Sequence, residues 1–268
     1  MEWWNKVMIE EQQVLNDAVA FITDLDGTLV ADSTQVAEED KALLHQLSEK
    51  MYIGIATGRS MKEIHYIEEQ CGLICDIKIA FNGGIIDYKG KRLKDCALPQ
   101  NDLAELMDYI EEHQIIFDAL DNVDRIGTYT TTNLKKLWNM RLMTVPNLYQ
   151  TLKEKKIYKI NLRPKSDEAD EMLATLRAHF PQLTICKSGN ERIEITPKEI
   201  SKGEALRILA EHCHLHFICV GDSENDSSMF EEADQSFCLA HAAPAVLGKV
   251  TTVIQTFSEL GEHLLPGK

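Results

Sequence analysis

No apolar run in the 268 residues approaches the roughly 18 positions that a membrane-crossing helix requires, so no membrane partner is expected. Residues 1–17 hold acids and glutamines where a secretion signal would hold an apolar centre. Cationic side chains are in deficit as well: 28 Lys and Arg face 43 Asp and Glu, for a formal charge of −15. A surface of that sign repels nucleic acid and anionic lipid, and an anionic ligand would need a local cationic site. Paired cysteines are missing too. The seven, Cys71, Cys75, Cys96, Cys186, Cys213, Cys219 and Cys238, are odd in number and scattered. They read as reduced, mostly buried thiols of a cytoplasmic protein. Cys71-x-x-x-Cys75 and the stretch His212 to His216 lack a second ligand pair at zinc-like spacing. There is no internal repeat and no low-complexity segment. What is present is an ordinary globular balance, 44% hydrophobic and 26% charged, enough for one large domain or two small ones.

Trp3, Trp4, Val7, Met8, Val14 and Leu15 recur at roughly helical spacing and predict a helical extension over residues 1–17. A β/α alternation follows, with strands at 19–23, 52–56 and 77–81 and helices at 37–49 and 61–70. Such alternation implies right-handed crossovers and an α/β, doubly wound parallel sheet. Near Asn82-Gly83-Gly84 the pattern changes to a hairpin over 85–93. Helices at 100–113, 133–142 and 168–179 then mix with strand-like runs at 115–118, 125–129, 158–162, 183–187 and 192–195. The alternation resumes with a helix at 202–212, a strand at 217–220, a helix at 226–233 and a strand at 236–239. The expected organisation is a core of residues 18–85 and 198–268, interrupted by an α+β insert over 86–197, with the site between them.

Open parallel sheets bind ligands beyond the carboxyl ends of their strands, near the point where strand order reverses. Three polar clusters fall at such ends. Asp24-Leu25-Asp26-Gly27-Thr28 follows the first strand, Thr57-Gly58-Arg59 the second, and Gly221-Asp222-Ser223-Glu224-Asn225-Asp226 the strand at 217–220. Lys202 opens the helix after the insert. Carboxylates two apart at a strand end converge on one small site, and hard oxygens of this kind suit Mg²⁺. Several carboxylates, one lysine and a threonine at a helix start, with no Ser-His or Cys-His pair in a comparable place, suit phosphoryl transfer. Asp24 is the candidate nucleophile, forming an aspartyl-phosphate. Asp26 is the candidate acid and base, protonating the leaving alkoxide and later taking a proton from water. Asp222 would complete the Mg²⁺ shell. Thr57 can offer phosphate its hydroxyl and N–H or simply cap a helix. Lys202 is a phosphate neutraliser by its place at the insert boundary; elsewhere a solvated surface lysine would explain it. Asn225 and Asp226 can bind phosphate and support the site, or start the next helix.

With these motifs in order, the chain resembles the haloacid dehalogenase (HAD) superfamily, and within it the Cof-type phosphatases with a large α+β cap between the third strand and the lysine. The resemblance spans residues 18–255 and includes Asn82-Gly83-Gly84 at the start of the cap. It implies a HAD Rossmann-like core with an inserted cap that sets substrate specificity. It also implies Asp24 as nucleophile, Asp26 as acid/base, and Mg²⁺ on Asp24, the backbone carbonyl of Asp26, and Asp222. Phosphate would be held by Thr57, Gly58, Lys202 and Asn225. The implied activity is a Mg²⁺-dependent phosphomonoesterase for small phosphorylated metabolites, either sugar phosphates or phosphorylated cofactors. In two places the chain departs from the pattern: Ala240-His241-Ala242 stands where Gly-Asn-Ala is usual, and a later Asp-Gly-Val is missing from 257–264.

A phosphomutase on a similar fold is one alternative, and a non-catalytic regulator that binds a phosphometabolite is another. The acid/base Asp26 argues against the second, since pure binding has no need of it. Arg125, Tyr129, Lys135, Trp138, Arg141 and Arg163 are candidates either for substrate contact or for surface and cap packing. The composition is compatible with a monomer or a homodimer.

Overall fold

The structure, a computed structural model, describes residues 18–32, 34–187 and 191–265. The helical extension expected over residues 1–17 lies outside the described residues. The chain runs through β1 (Ala18–Thr23), α1 (Glu38–Ser48), β2 (Tyr52–Ala56), α2 (Met61–Cys71) and β3 (Ile77–Ala80). A hairpin of β4 (Ile85–Tyr88) and β5 (Lys91–Asp95) leads to α3 (Gln100–Glu112), β6 (Phe117–Leu120), β7 (Asp124–Gly127) and β8 (Arg141–Met143). Then come α4 (Leu148–Lys153), β9 (Lys159–Leu162), α5 (Ala169–His179), β10 (Leu183–Lys187) and β11 (Ile193–Pro197). Last are α6 (Lys202–Cys213), β12 (Leu215–Gly221), α7 (Ser227–Glu231), β13 (Gln235–Leu239) and β14 (Thr252–Ile254), with short helices at Pro244–Leu247 and Leu260–Leu264.

These strands make two sheets. The larger has eight strands in the order β14-β13-β12-β1-β2-β3-β4-β5, parallel from β14 to β3. Its central strands are apolar on both faces, as helix-covered parallel strands must be; in β1, Ala20, Phe21 and Ile22 are all fully buried. The chain builds outward from β1 through β2 and β3 on one side and from β12 on the other, so strand order reverses between β1 and β12. A crevice opens at their carboxyl ends. Beside it, α2 starts in a capping box, with the Ser60 hydroxyl accepting from the Glu63 N–H and the Glu63 carboxylate accepting from the Ser60 N–H.

The smaller sheet has six strands in the order β10-β11-β9-β6-β7-β8. Alternation separates its faces. Phe117, Ala119, Ile160, Leu162, Ile193 and Ile195 pack with Leu103 and Leu106 of α3 and Leu176 of α5 in one core. The opposite face carries Asp118, Arg125, Lys159, Asn161 and Glu194, and it turns toward the crevice, since Lys159 Nζ donates to the Gly58 carbonyl.

In two places the structure differs from the sequence pattern. The hairpin expected to open the insert at residue 86 instead extends the larger sheet: β4 runs antiparallel to β3, and β5 to β4. Ile85 and Ile86 are buried in separate apolar clusters on the two faces of that sheet, which explains the placement. The helix expected over 133–142 is absent; Leu134–Leu137 makes a single 3₁₀ turn, and β8 begins at Arg141. Trp138 and Asn139 have positive φ of 43° and 64°, which no helix continues through. No described helix is long and apolar enough to cross a membrane, and all seven cysteines are free, in keeping with reduced thiols.

Gly127 ends β7 where a Cβ would lie 2.2 Å from the Phe117 carbonyl oxygen and 2.9 Å from the Asp118 Cα, both backbone atoms. Gly127→Ala is expected to lower stability by about 1–3 kcal/mol through overpacking. A shifted urea midpoint with an unchanged slope would register it, and an unmoved midpoint would refute it.

Candidate active site

The loop after β1 is shaped by backbone pairing before any side chain acts. The Asp24 N–H continues the ladder to the Val220 carbonyl at 3.0 Å, while the Gly27 N–H bonds to the Val30 carbonyl and closes the chain back on itself. Gly27 sits at φ 86°, and a Cβ there would fall 2.4 Å from Asp222 Oδ2, so only glycine lets the two strand-end loops meet this closely. Thr28 Oγ1 donates to Asp222 Oδ1 at 2.9 Å and ties them together.

Lys202 lies at the centre. Its ammonium is fully buried and donates to Asp24 Oδ1 and to Asp226 Oδ1, each at 2.5 Å. Burial opposes the Lys202 charge, but Asp226 and Asp24 outweigh it and hold the ammonium above its usual range. One lysine cannot balance the carboxylates around it. Burial pushes the Asp24 carboxyl well up; Lys202 pulls it back, while Asp226 and Asp222 push it further. Burial also raises Asp222, against the hydrogen bond from Thr28.

Asp24, Asp222 and Asp226 bring carboxylate oxygens within 4.8 Å of one another. Asp226 spends Oδ1 on Lys202 and Oδ2 on the N–H groups of Asp222 and Ser223. It therefore braces the loop, and Asp24 and Asp222 remain as the side chains able to hold an ion. A small hard cation with oxygen ligands answers the shortage of positive charge, so the donor set fits Mg²⁺. His241 Nε2, from the Ala240-His241-Ala242 departure, lies 3.2 Å from Asp222 Oδ2.

The second strand end faces this cluster. Thr57 is buried, with its N–H bonded to the Ile79 carbonyl and its hydroxyl accepting from the Arg59 N–H at 3.2 Å. A Cβ on Gly58 would approach Asn82 Oδ1 at 3.3 Å and Lys159 Nζ at 3.6 Å, so bare backbone is presented between them. Asn82, itself at φ 57°, accepts through Oδ1 from Asn225 Nδ2 at 3.2 Å and so joins the loop at 57–58 to the loop after β12.

The expected residues thus divide into two groups. Asp24, Lys202 and Asp222 form one cluster, and Thr57, Gly58 and Asn225 line its rim through Asn82. The Asp26 side chain is paired with the second strand end, its two oxygens accepting from Arg59 Nε and Nη2 at 2.6 Å each. Sequence reasoning left Arg59, Glu63, Asn82 and Lys159 without roles. Arg59 and Asn82 stood inside the sequence motifs, and Glu63 stands at capping-box spacing from Ser60, but nothing local marks Lys159. Among the cap candidates, Arg125 is buried against Glu63 and Asp118, and Arg141 pairs with Asp124. Trp138 is 1% exposed and cannot stack on a substrate ring. Arg163 and Tyr129, 4.1 Å apart, line an open groove of about 840 Å³ with Lys165 and Arg192.

Comparison with known proteins agrees with this geometry. A family model described as haloacid dehalogenase-like hydrolase matches residues 21–261. The HMP-PP phosphatase of Serratia proteamaculans is 27% identical over 232 residues, 82% of this chain and 83% of that protein. The 5-amino-6-(5-phospho-D-ribitylamino)uracil phosphatase YwtE of Bacillus subtilis is 25% identical over 285 residues, 91% of this chain and 97% of its own. A crystal structure from Thermotoga maritima superposes with a TM-score of 0.80 at 26% identity, covering 92% of this chain and 96% of the other.

Two outcomes are expected from the charge arrangement. Lys202→Met strands two buried carboxylates and should cost about 3–5 kcal/mol of stability; a melting temperature equal to wild type would contradict the buried pairing. Carboxyls held above their ordinary value keep their proton to higher pH folded than unfolded. Their contribution to metal-free stability is therefore present at low pH and is lost as pH rises from about 4 through the folded value. A cation that needs those carboxylates regains it, so the rise in melting temperature caused by Mg²⁺ should be larger at about pH 7.5 than at about pH 5. An equal shift at both would exclude Asp24 and Asp222 as its ligands.

Proposed function

The chain belongs to the haloacid dehalogenase-like hydrolase family, and from that premise we propose that it is a Mg²⁺-dependent cytoplasmic phosphomonoesterase working through an aspartyl-phosphate on Asp24. The observation that carries the reading is Lys202 buried between Asp24 and Asp226, with Asp222 alongside. Lys202 occupies Asp24 Oδ1 and leaves Oδ2 to attack phosphorus. As that bond forms, the bond from phosphorus to the leaving oxygen breaks, and Asp26 passes its proton to that oxygen. Asp26 then takes a proton from the water that attacks the aspartyl-phosphate, releasing phosphate and restoring Asp24. Asp24, Asp222 and the backbone carbonyl of Asp26 would hold Mg²⁺, which would supply the positive charge that lets a carboxylate approach a phosphate anion. Thr57, Gly58, Lys202 and Asn225 would grip the transferred group, the Thr57 hydroxyl, the Lys202 ammonium and the Asn225 amide serving as donors while the Thr57 N–H stays with the Ile79 carbonyl.

The smaller sheet and its helices, within residues 86–197, act as the cap. The polar face of that sheet, beside the site, selects among small phosphorylated metabolites, and its outer end carries the groove with Arg163 and Tyr129. Sugar phosphates and phosphorylated cofactors fit the reading, which the activities named for the Serratia and Bacillus relatives support.

Phosphate release from a panel of phosphorylated metabolites, with Mg²⁺ or EDTA, tests it. Wild type should turn over at least one ester with Mg²⁺ and none with EDTA, and Asp24→Asn should lose about 10³-fold or more. Isomerised product without phosphate release would indicate a mutase instead. Binding without any turnover would indicate a regulator.

A further inference from the structure

The segment Gly58–Glu63, which carries the rim of the site into α2, is held by side chains and backbone from the insert at every turn. Lys159 Nζ donates to the Gly58 carbonyl at 2.5 Å, Asn122 Oδ1 accepts from the Met61 N–H at 2.9 Å, and Arg125 Nη2 donates to Glu63 Oε1 at 2.9 Å. Arg59 receives the most. Its Nη1 donates to the Lys136 carbonyl at 3.0 Å and to Glu63 Oε1 at 2.8 Å, and its guanidinium carbon lies 3.4 Å from the centroid of the Trp138 ring. Tyr66 of α2 stacks near Trp138 at 6.4 Å. Trp138 reaches this place through the left-handed turn that ends the 3₁₀ segment. A turn that is unfavourable for a bulky side chain is kept where the surroundings require it.

The consequence falls on Asp26. With Trp138 below and the Lys136 carbonyl and Glu63 at one edge, the guanidinium plane is fixed, and its free edge presents Nε and Nη2 together to the two Asp26 oxygens. We infer that Trp138 is a positioning residue for the acid/base: by clamping Arg59 it aims Asp26, so that seating of the insert completes the proton-transfer machinery. This rests on the role given to Asp26 above. The pair strengthens as Asp26 gives up its proton to the leaving oxygen, because the guanidinium then faces a full carboxylate. The clamp thus assists the step in which Asp26 gives up its proton, and it opposes the return step in which Asp26 takes a proton from water, because the guanidinium favours the carboxylate over the acid.

Leaving-group dependence separates this role from a structural one. A primary alkyl phosphate needs a proton on its departing oxygen, whereas 2,4-dinitrophenyl phosphate does not. Trp138→Leu, and Arg59→Lys, which keeps the charge but not the fork, should lose about tenfold or more in kcat on the alkyl ester, with KM within about threefold. The dinitrophenyl ester should stay within about threefold of wild type, and Trp138→Phe, which keeps a ring under the guanidinium, should recover most of the alkyl rate. Equal losses on both esters, or no loss on either, would overturn the inference while leaving the phosphatase reading intact. Wild type inactive on both esters would remove the phosphatase reading and this inference with it.

Discussion

One buried ammonium governs the arrangement of the core. Lys202 is removed from water at the first residue of α6, and a charge in that position is tolerable only with close opposite partners. Asp24 from the end of β1 and Asp226 from the loop after β12 supply them, and neither can move without stranding the ammonium. Three separate stretches of chain are thereby fixed to within hydrogen-bond tolerance. Gly203 shows how closely they are drawn together, since a Cβ there would lie 2.2 Å from the Ser228 carbonyl oxygen. Because Asp226 also receives the N–H groups of Asp222 and Ser223, the same pair that stabilises the lysine shapes the loop carrying Asp222.

A second charge network joins the two sheets. Glu63 is fully buried, yet Arg125 and Arg59, with the Ser60 donors, outweigh that burial and hold its carboxyl below the usual range. Arg59 comes from the core and Arg125 from β7, so this one carboxylate is satisfied only when both parts of the chain are in place. Apolar contacts accompany it: Leu120, Leu137, Trp138, Met140 and Tyr158 share a cluster with Phe81, Ile64 and Met61. Phe81 and Tyr158 stack in parallel planes at 4.9 Å. The contact between sheets therefore combines directional charge pairing, which sets register, with apolar burial, which supplies most of the attraction.

The surroundings of Asp222 carry this chain's own character. Thr28 holds one carboxylate oxygen, and His241 of the Ala240-His241-Ala242 stretch approaches the other. An imidazole can donate to that oxygen through its ring N–H.

The sequence alone settled what depends on local periodicity and on chemistry placed at strand ends. The apolar runs within β1, β2 and β12 declared a helix-covered parallel sheet, and the acids, threonine and asparagine directly after them had to gather at one edge, because parallel strands share a carboxyl end. Asp24, Asp222, Thr57, Gly58 and Asn225 could be picked out as candidates for that reason, and Lys202 by its place at the insert boundary. Tertiary structure decided whatever depends on partners distant along the chain. The alternation of β4 and β5 says strand but not which sheet, and only the burial of Ile85 and Ile86 on opposite faces assigns them to the larger one. Residues 133–142 have helical spacing, but the stacking of Trp138 on Arg59 and the use of the Lys136 carbonyl outweigh a local preference worth a few tenths of a kcal/mol per residue, at about that scale. The direction of the Asp26 side chain, the pairing of Glu63 with Arg125 and the contacts of Lys159 arise between residues tens of positions apart. Charge pairing across such separations is set by the folded geometry, and no local pattern records it.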